Sequence, residues 1–264
     1  MDLQLQNKTA LVTGSTAGIG LAIATGLVSE GADVVIAGRS KTKLDEAQEY
    51  IKSKTGKRAA QAVLADASTS EGAAELLRAV PEIDILINNL GIYEARSFMD
   101  LRDDDWMRLF EINVMSGVRI TRQYFQAMLR KNWGRVIFIS SESGVMPPAE
   151  MLQYGVTKSA QLSISRGLAQ LTNGTGVTVN AVLPGPTRSE GIVDFLRSIA
   201  SDPAAPASEL EAEFFQKHRS TSLLQRTIEA EEVASMVSYL SSPLSAATNG
   251  AALRVEGGLV PTIL

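Results

Sequence analysis

Short apolar runs rich in β-branched residues recur along the chain and alternate with longer segments whose apolar positions lie three and four apart. TALVTG, DVVIAG, AAQAVLAD, IDILINN, GRVIFISS, VTVNAVLPG and AALRVEGG are the short runs. Most are apolar at successive positions, as strands covered on both faces are. Between them lie GIGLAIATGLVSEGA, SKTKLDEAQEYIKSKTG, STSEGAAELLRAV, DDDWMRLFEINVMSGVRITRQYFQAMLRK and YGVTKSAQLSISRGLAQLT, with helical spacing and several plausible Ser, Thr or Asp N-caps. Strands alternating with helices predict an α/β chain with a doubly wound parallel sheet of about seven strands and helices on both faces.

One stretch breaks the rhythm. Residues 187–226, TRSEGIVDFLRSIASDPAAPASELEAEFFQKHRSTSLLQR, follow a strand, carry no strand pattern and have a Pro/Ala/Ser-rich middle. A long excursion from a strand's carboxyl end is where a substrate lid would lie. No repeat or linker marks off a second unit, so residues 1–264 read as one domain.

The turn TGSTAGIG joins the first strand to the first helix, with Gly14, Gly18 and Gly20 around Ser15, Thr16 and Ile19. Glycines allow a backbone to approach a phosphate, and a helix start offers unpaired N–H donors. No Gly-Lys-Ser/Thr follows, which favours a dinucleotide over a nucleoside triphosphate. The second strand ends at Gly38 and Arg39, where an NAD site would carry an acid. An arginine about twenty residues past the last motif glycine suits a 2′-phosphate, so NADP(H) is preferred and NAD(H) is the alternative.

Composition narrows the chemistry. The chain has 264 residues, a net charge of −4, no cysteine and a single histidine, His218. Thiol nucleophiles, disulfides and multi-histidine metal sites are excluded, and no metal is expected. The negative balance argues against nucleic acid and anionic membrane as partners. With no charged-then-apolar leader and no apolar run of membrane-spanning length, a cytoplasmic protein is expected.

Tyr154 and Lys158, in YGVTK, stand at i and i+4 on one helix face. An unperturbed tyrosine titrates near ~10, and a neighbouring ammonium stabilises its phenolate. Upstream, RVIFIS runs into SESG, so Ser141 lies past a strand end where its hydroxyl can hold a substrate carbonyl near the phenol. With NNLG and with Asn113 in EINVMSG, these motifs make the chain resemble the short-chain dehydrogenase/reductase family along nearly its whole length.

The resemblance implies a Rossmann-type fold and a set of roles. Ser141 orients the carbonyl or alcohol and Tyr154 moves its proton. Lys158 lowers the tyrosine pKa and binds the nicotinamide ribose, and Asn113 holds a water in the proton relay. Asp66 would contact the adenine, Asn89 and Gly91 the cofactor ribose, and Pro184, Gly185 and Thr187 the nicotinamide side. Leu90 stands where the family has alanine and Glu256 where aspartate is common.

The implied activity is hydride transfer between a nicotinamide and a carbonyl or alcohol, with reduction of a ketone such as a 3-oxoacyl or cyclic one as the expected direction. The alternatives are an NAD-dependent alcohol dehydrogenase and a non-catalytic dinucleotide sensor. Expected partners are a small carbonyl or alcohol substrate and, by resemblance, three further copies in a homotetramer. The pocket is expected from Leu90 to Glu94, Val145 to Pro148 and the lid residues Ile192, Val193, Phe195, Leu196, Phe214 and Phe215, with Arg188, Lys217 and Arg219 as its basic groups and His218 exposed in a loop.

Overall fold

The computed structural model describes residues 1–189 and 191–263 and joins seven strands among them into one parallel sheet. In chain order these are β1 (Thr9–Val12), β2 (Asp33–Gly38), β3 (Gln61–Leu64), β4 (Ile85–Asn88), β5 (Gly134–Ile139), β6 (Val177–Pro184) and β7 (Ala252–Val255). Their spatial order is β3-β2-β1-β4-β5-β6-β7, a Rossmann-type arrangement. The chain winds outward from β1 on one side, then crosses to β4 on the other. That reversal opens a crevice at the carboxyl ends of β1 and β4.

Alternate residues of each strand feed different cores, which is why the runs are apolar throughout. Ala10, Val12, Ile36 and Ile87 pack with α1 (Gly18–Ser29), α2 (Lys41–Thr55) and α9 (Ala230–Ser241) on one face. Leu11, Val35, Leu86 and Phe138 pack with α3 (Ser70–Ala79), α5 (Ser116–Lys131) and α6 (Leu152–Gln170) on the other. Among the described residues, no helix is long and apolar enough to cross a membrane.

The single helical run read from Asp103 to Lys131 is divided. It comprises α4 (Asp103–Phe110), a π-helical turn (Glu111–Met115) and α5, and Asn113 lies in the wide turn. The acidic start caps as its sequence suggests, with the Asp105 carboxylate accepting from the Arg102 N–H at 3.0 Å. The excursion after β6 also has structure of its own. Helices α7 (Ile192–Ile199) and α8 (Ala207–Lys217) form a small separate core from Ile192, Leu196, Leu210, Phe214 and Phe215. Its base is pinned by a bridge between Thr187 and Ile228. Position 190 of the expected lid lies outside the described residues.

Thr13 ties the two loops of the crevice together. Buried past the end of β1, its hydroxyl accepts from the Asn89 N–H at 3.0 Å and the Leu90 N–H at 3.1 Å. The Asn89 amide returns bonds to the carbonyls of Thr13 and Gly14. Thr13→Val keeps the shape but strands both donors, so stability should fall by about 2 kcal/mol in urea unfolding. Thr13→Ser, which keeps the hydroxyl, should lose much less; equal losses would make packing of the methyl the cause.

Candidate active site

The crevice continues into a cavity of about 440 Å³. One end is the glycine turn and the start of α1, with Gly14, Ala17, Gly18, Ile19 and Gly20 in its wall. Gly14 and Gly18 have φ of +61° and +51°, which side chains rarely tolerate, and among the described residues a Cβ on Gly18 would meet only the Ser189 side chain, at 3.7 Å. Gly20 is required for a different reason: a Cβ there would lie 2.2 Å from the Gly14 carbonyl oxygen. The open cradle over a helix start fits a diphosphate.

Of the other residues named from the sequence for the cofactor, Asn89, Gly91, Pro184, Gly185 and Thr187 line the same cavity. Ser15 and Thr16 do not. The Ser15 hydroxyl is buried and accepts from the Ala37 N–H at 2.9 Å, which fastens the turn to β2. The Thr16 methyl lies beneath Gly38, where a Cβ would come within 2.7 Å of it. Arg39 is exposed at the end of β2, and its guanidinium is 3.8 Å from the Asp66 carboxylate. Asp66 in turn accepts from the Ser68 N–H and hydroxyl.

At the far end Ser141, Tyr154 and Lys158 meet. Ser141 follows β5, and Tyr154 and Lys158 stand one turn apart near the start of α6. The Lys158 ammonium is buried, 5.5 Å from the centre of the Tyr154 ring. It donates to the Ile139 carbonyl at 2.8 Å and to Gln161 Oε1 at 3.2 Å. Burial draws it down to about 7, while the Glu142 charge acts to keep it protonated. Tyr154 is shifted upward. Burial is the largest cause, the Glu142 charge adds to it, and a hydrogen bond with Ser141 opposes it. The only cause that lowers the phenol is Ser141; the depression expected from Lys158 is not among the causes in the protein alone.

Asn113 is buried with its side chain fully engaged. Its Oδ1 accepts from the Ile92 N–H at 2.8 Å, and its Nδ2 donates to the Ile92 carbonyl and to Thr157 Oγ1. Its carbonyl accepts from Gln161 Nε2 at 2.6 Å.

Glu142 is not among the residues that the sequence motifs single out. It is buried between Ser141 and Ser143, accepts from both hydroxyls, and faces the Arg219 guanidinium with Nε 3.8 Å from its Oε1. Burial pushes its carboxyl upward, opposed by Ser141 and Arg219. The signal for it in the sequence is a carboxylate set between two serines at the carboxyl end of a buried strand. Arg219 lines the cavity and also holds Glu150 at 2.9 Å. The other two basic candidates are spoken for: Arg188 pairs with Glu229 and Lys217 with Glu213.

The pocket wall is aromatic. Tyr93 meets Tyr154 edge-on at 6.2 Å, Phe195 meets Tyr93 at 5.9 Å, and Phe214 meets Phe195 at 6.1 Å. His218 is not free in a loop; it ends α8 and stacks on Phe214. Of the lid residues expected in the pocket, Ile192 and Phe195 reach it, as does Phe214, whereas Leu196 and Phe215 serve the lid's own core. Met151 takes the place expected for Val145 to Pro148, and Val145 is exposed.

The profile of the short chain dehydrogenase family matches residues 8–197, a span that holds the glycine turn, Asn113, Ser141, Tyr154 and Lys158. The chain belongs to the short-chain dehydrogenase family. YvaG, an uncharacterized oxidoreductase of Bacillus subtilis (strain 168), is 51% identical over 263 residues, covering 100% of both chains. The 3-oxoacyl-(acyl-carrier-protein) reductase FabG of Aquifex aeolicus (strain VF5) is 33% identical over 98% of this chain and 100% of its own. Among solved structures, L-sorbose reductase of Gluconobacter frateurii, complexed with NADPH and L-sorbose, superposes with a TM-score of 0.91 at 29% identity over 100% of both chains. This short-chain dehydrogenase is accordingly an oxidoreductase acting between carbonyl and alcohol.

The Glu142 charge disfavours the Tyr154 phenolate, so Glu142→Gln should lower the phenol pKa. An ultraviolet difference titration of the phenol, referenced to Tyr154→Phe, should then show its midpoint at lower pH. A midpoint that stayed in place or moved upward would remove Glu142 from the electrostatics of Tyr154.

Proposed function

We propose that the protein is an NADP(H)-dependent reductase of a small ketone or aldehyde. The observation that carries this reading is one cavity with a phosphate-sized glycine cradle at one end and Ser141, Tyr154 and Lys158 at the other. Bound NADPH supplies a hydride to the carbonyl carbon. The phenol of Tyr154 gives its proton to the carbonyl oxygen, and the Ser141 hydroxyl, turning from the Glu142 carboxylate that it meets in the protein alone, donates to the same oxygen and fixes its position. Lys158 supplies positive charge that offsets the phenolate left on Tyr154, and Asn113 supports the loop at Ile92 beside it. Gly91 lies at this junction, where a Cβ would be in ordinary contact with Asn113 Oδ1 and the Lys158 ammonium.

The preference for NADP(H) rests on Arg39, whose exposed guanidinium can take a 2′-phosphate bidentately, with Asp66 beside it near the adenine. The complex of L-sorbose reductase with NADPH and the likeness to a 3-oxoacyl reductase support both the cofactor and the direction. NAD(H) is the second reading, because Asp66 lies close enough to Arg39 to compete for it.

Residues 187–226, without position 190, form the proposed lid over one domain, with α7 and α8 closing the aromatic wall. Phe98, Met99, Met107 and Phe110 are exposed around α4, an apolar surface that supports the homotetramer implied by the family. A cytoplasmic location accords with this reading.

Two measurements test it. Arg39→Ala should weaken NADPH binding by about tenfold or more and leave NADH binding nearly unchanged; equal effects on both would favour the second reading. A panel containing a 3-oxoacyl thioester, a cyclic ketone and a ketose should reveal NADPH consumption that Tyr154→Phe lowers by about 10²- to 10⁴-fold. Turnover undiminished in Tyr154→Phe would overturn the assignment of the proton donor.

A further inference from the structure

Gln161 stands on the same helix as Lys158, three residues further along, and is buried. Its side-chain amide spans two groups. Oε1 accepts from the Lys158 ammonium at 3.2 Å, and Nε2 donates to the Asn113 carbonyl at 2.6 Å. The reverse orientation would set an NH₂ against an ammonium and an oxygen against a carbonyl, so only this one pairs donors with acceptors. The Asn113 carbonyl can be met this way because it lies in the π-helical turn, where the ladder is locally rearranged and the Ser116 N–H reaches back to Glu111.

We propose that Gln161 is a positioning residue of the catalytic pair, a carboxamide that links Lys158 to the Asn113 carbonyl and sustains the ammonium there. It builds on the Tyr154–Lys158 reading given above. The amide presents the oxygen of its dipole to the ammonium while its NH₂ is anchored on the π turn, so the acceptor is held in place from a second element.

The surroundings explain why such a partner is needed. Lys158 is nearly sealed from solvent, and burial works against its charged form. The charged and titratable groups that face it are few. Glu142 approaches from the segment after β5 and favours the ammonium, while Tyr154 lies beside it on α6. Tyr93 lies behind Tyr154 and Arg219 behind Glu142. The side toward β5 and the π turn offers the Ile139 carbonyl and Gln161. Removing Gln161 Oε1 leaves the ammonium with one neutral acceptor among its direct bonds.

The test uses the whole protein without cofactor or substrate, so it remains readable even if no ketone in the panel is turned over. Lysine labelled with ¹³C at Cε is followed by NMR against pH, and the Lys158 signal is assigned by its loss in Lys158→Arg. Gln161→Met deletes the acceptor and should move the Lys158 midpoint about one unit lower; Gln161→Glu places a carboxylate there and should move it higher by a similar amount. A general loosening of the helix would shift both variants the same way. Opposite shifts support the proposal. Shifts in the same direction, or a Gln161→Met midpoint that stays in place or rises, overturn the role.

Discussion

A lysine ammonium held almost out of water is the constraint around which this site is built. A charge in that position stands only if every donor finds an acceptor and the local field favours it. β5 ends so that the Ile139 carbonyl points at Lys158, α6 brings Gln161 alongside, and Glu142 adds a counter-charge across Ser141. The wide turn at Asn113 frees a carbonyl for the other end of the Gln161 amide. The same arrangement keeps Tyr154 beside Lys158 on one helix while both border the cavity.

The rest of the cavity divides by chemistry. Toward β1 and β4 it is a backbone surface of glycines, held in register by Thr13 and Asn89. Toward α7 and α8 it is a chain of edge-on aromatic rings that runs from Tyr154 through Tyr93 and Phe195 to Phe214, with Arg219 lying over the Phe214 ring. That wall is apolar, and the charge of Arg219 at its polar end is compensated by Glu142 and Glu150.

Much of this is legible in the order of the residues. Short continuous apolar runs and helix periods near four are local, so β1 to β7 and most helices can be read from their own residues. Tyr154 and Lys158 stand one turn apart on any helix, and Ser141 follows any strand that ends at Ile139. Ser15 and Thr16 depart from expectation because a turn motif gives neighbours in sequence without saying which way their side chains face. The Ser15 hydroxyl turns to Ala37, twenty-two positions along the chain. Proximity in sequence puts Val145 to Pro148 at the pocket, yet the segment folds outward and Met151 fills the wall.

The sequence by itself therefore determined the doubly wound α/β plan, the glycine cradle and the pairing of Tyr154 with Lys158 on one helix face, because each is set by residues close to one another along the chain. Tertiary structure alone decided what surrounds those groups. The desolvation of Lys158, the Glu142–Arg219 pair and the Gln161 link to the Asn113 carbonyl all join residues brought together from separate elements. An electrostatic environment is a sum over neighbours in space, and that sum exists only once the strands and helices have packed.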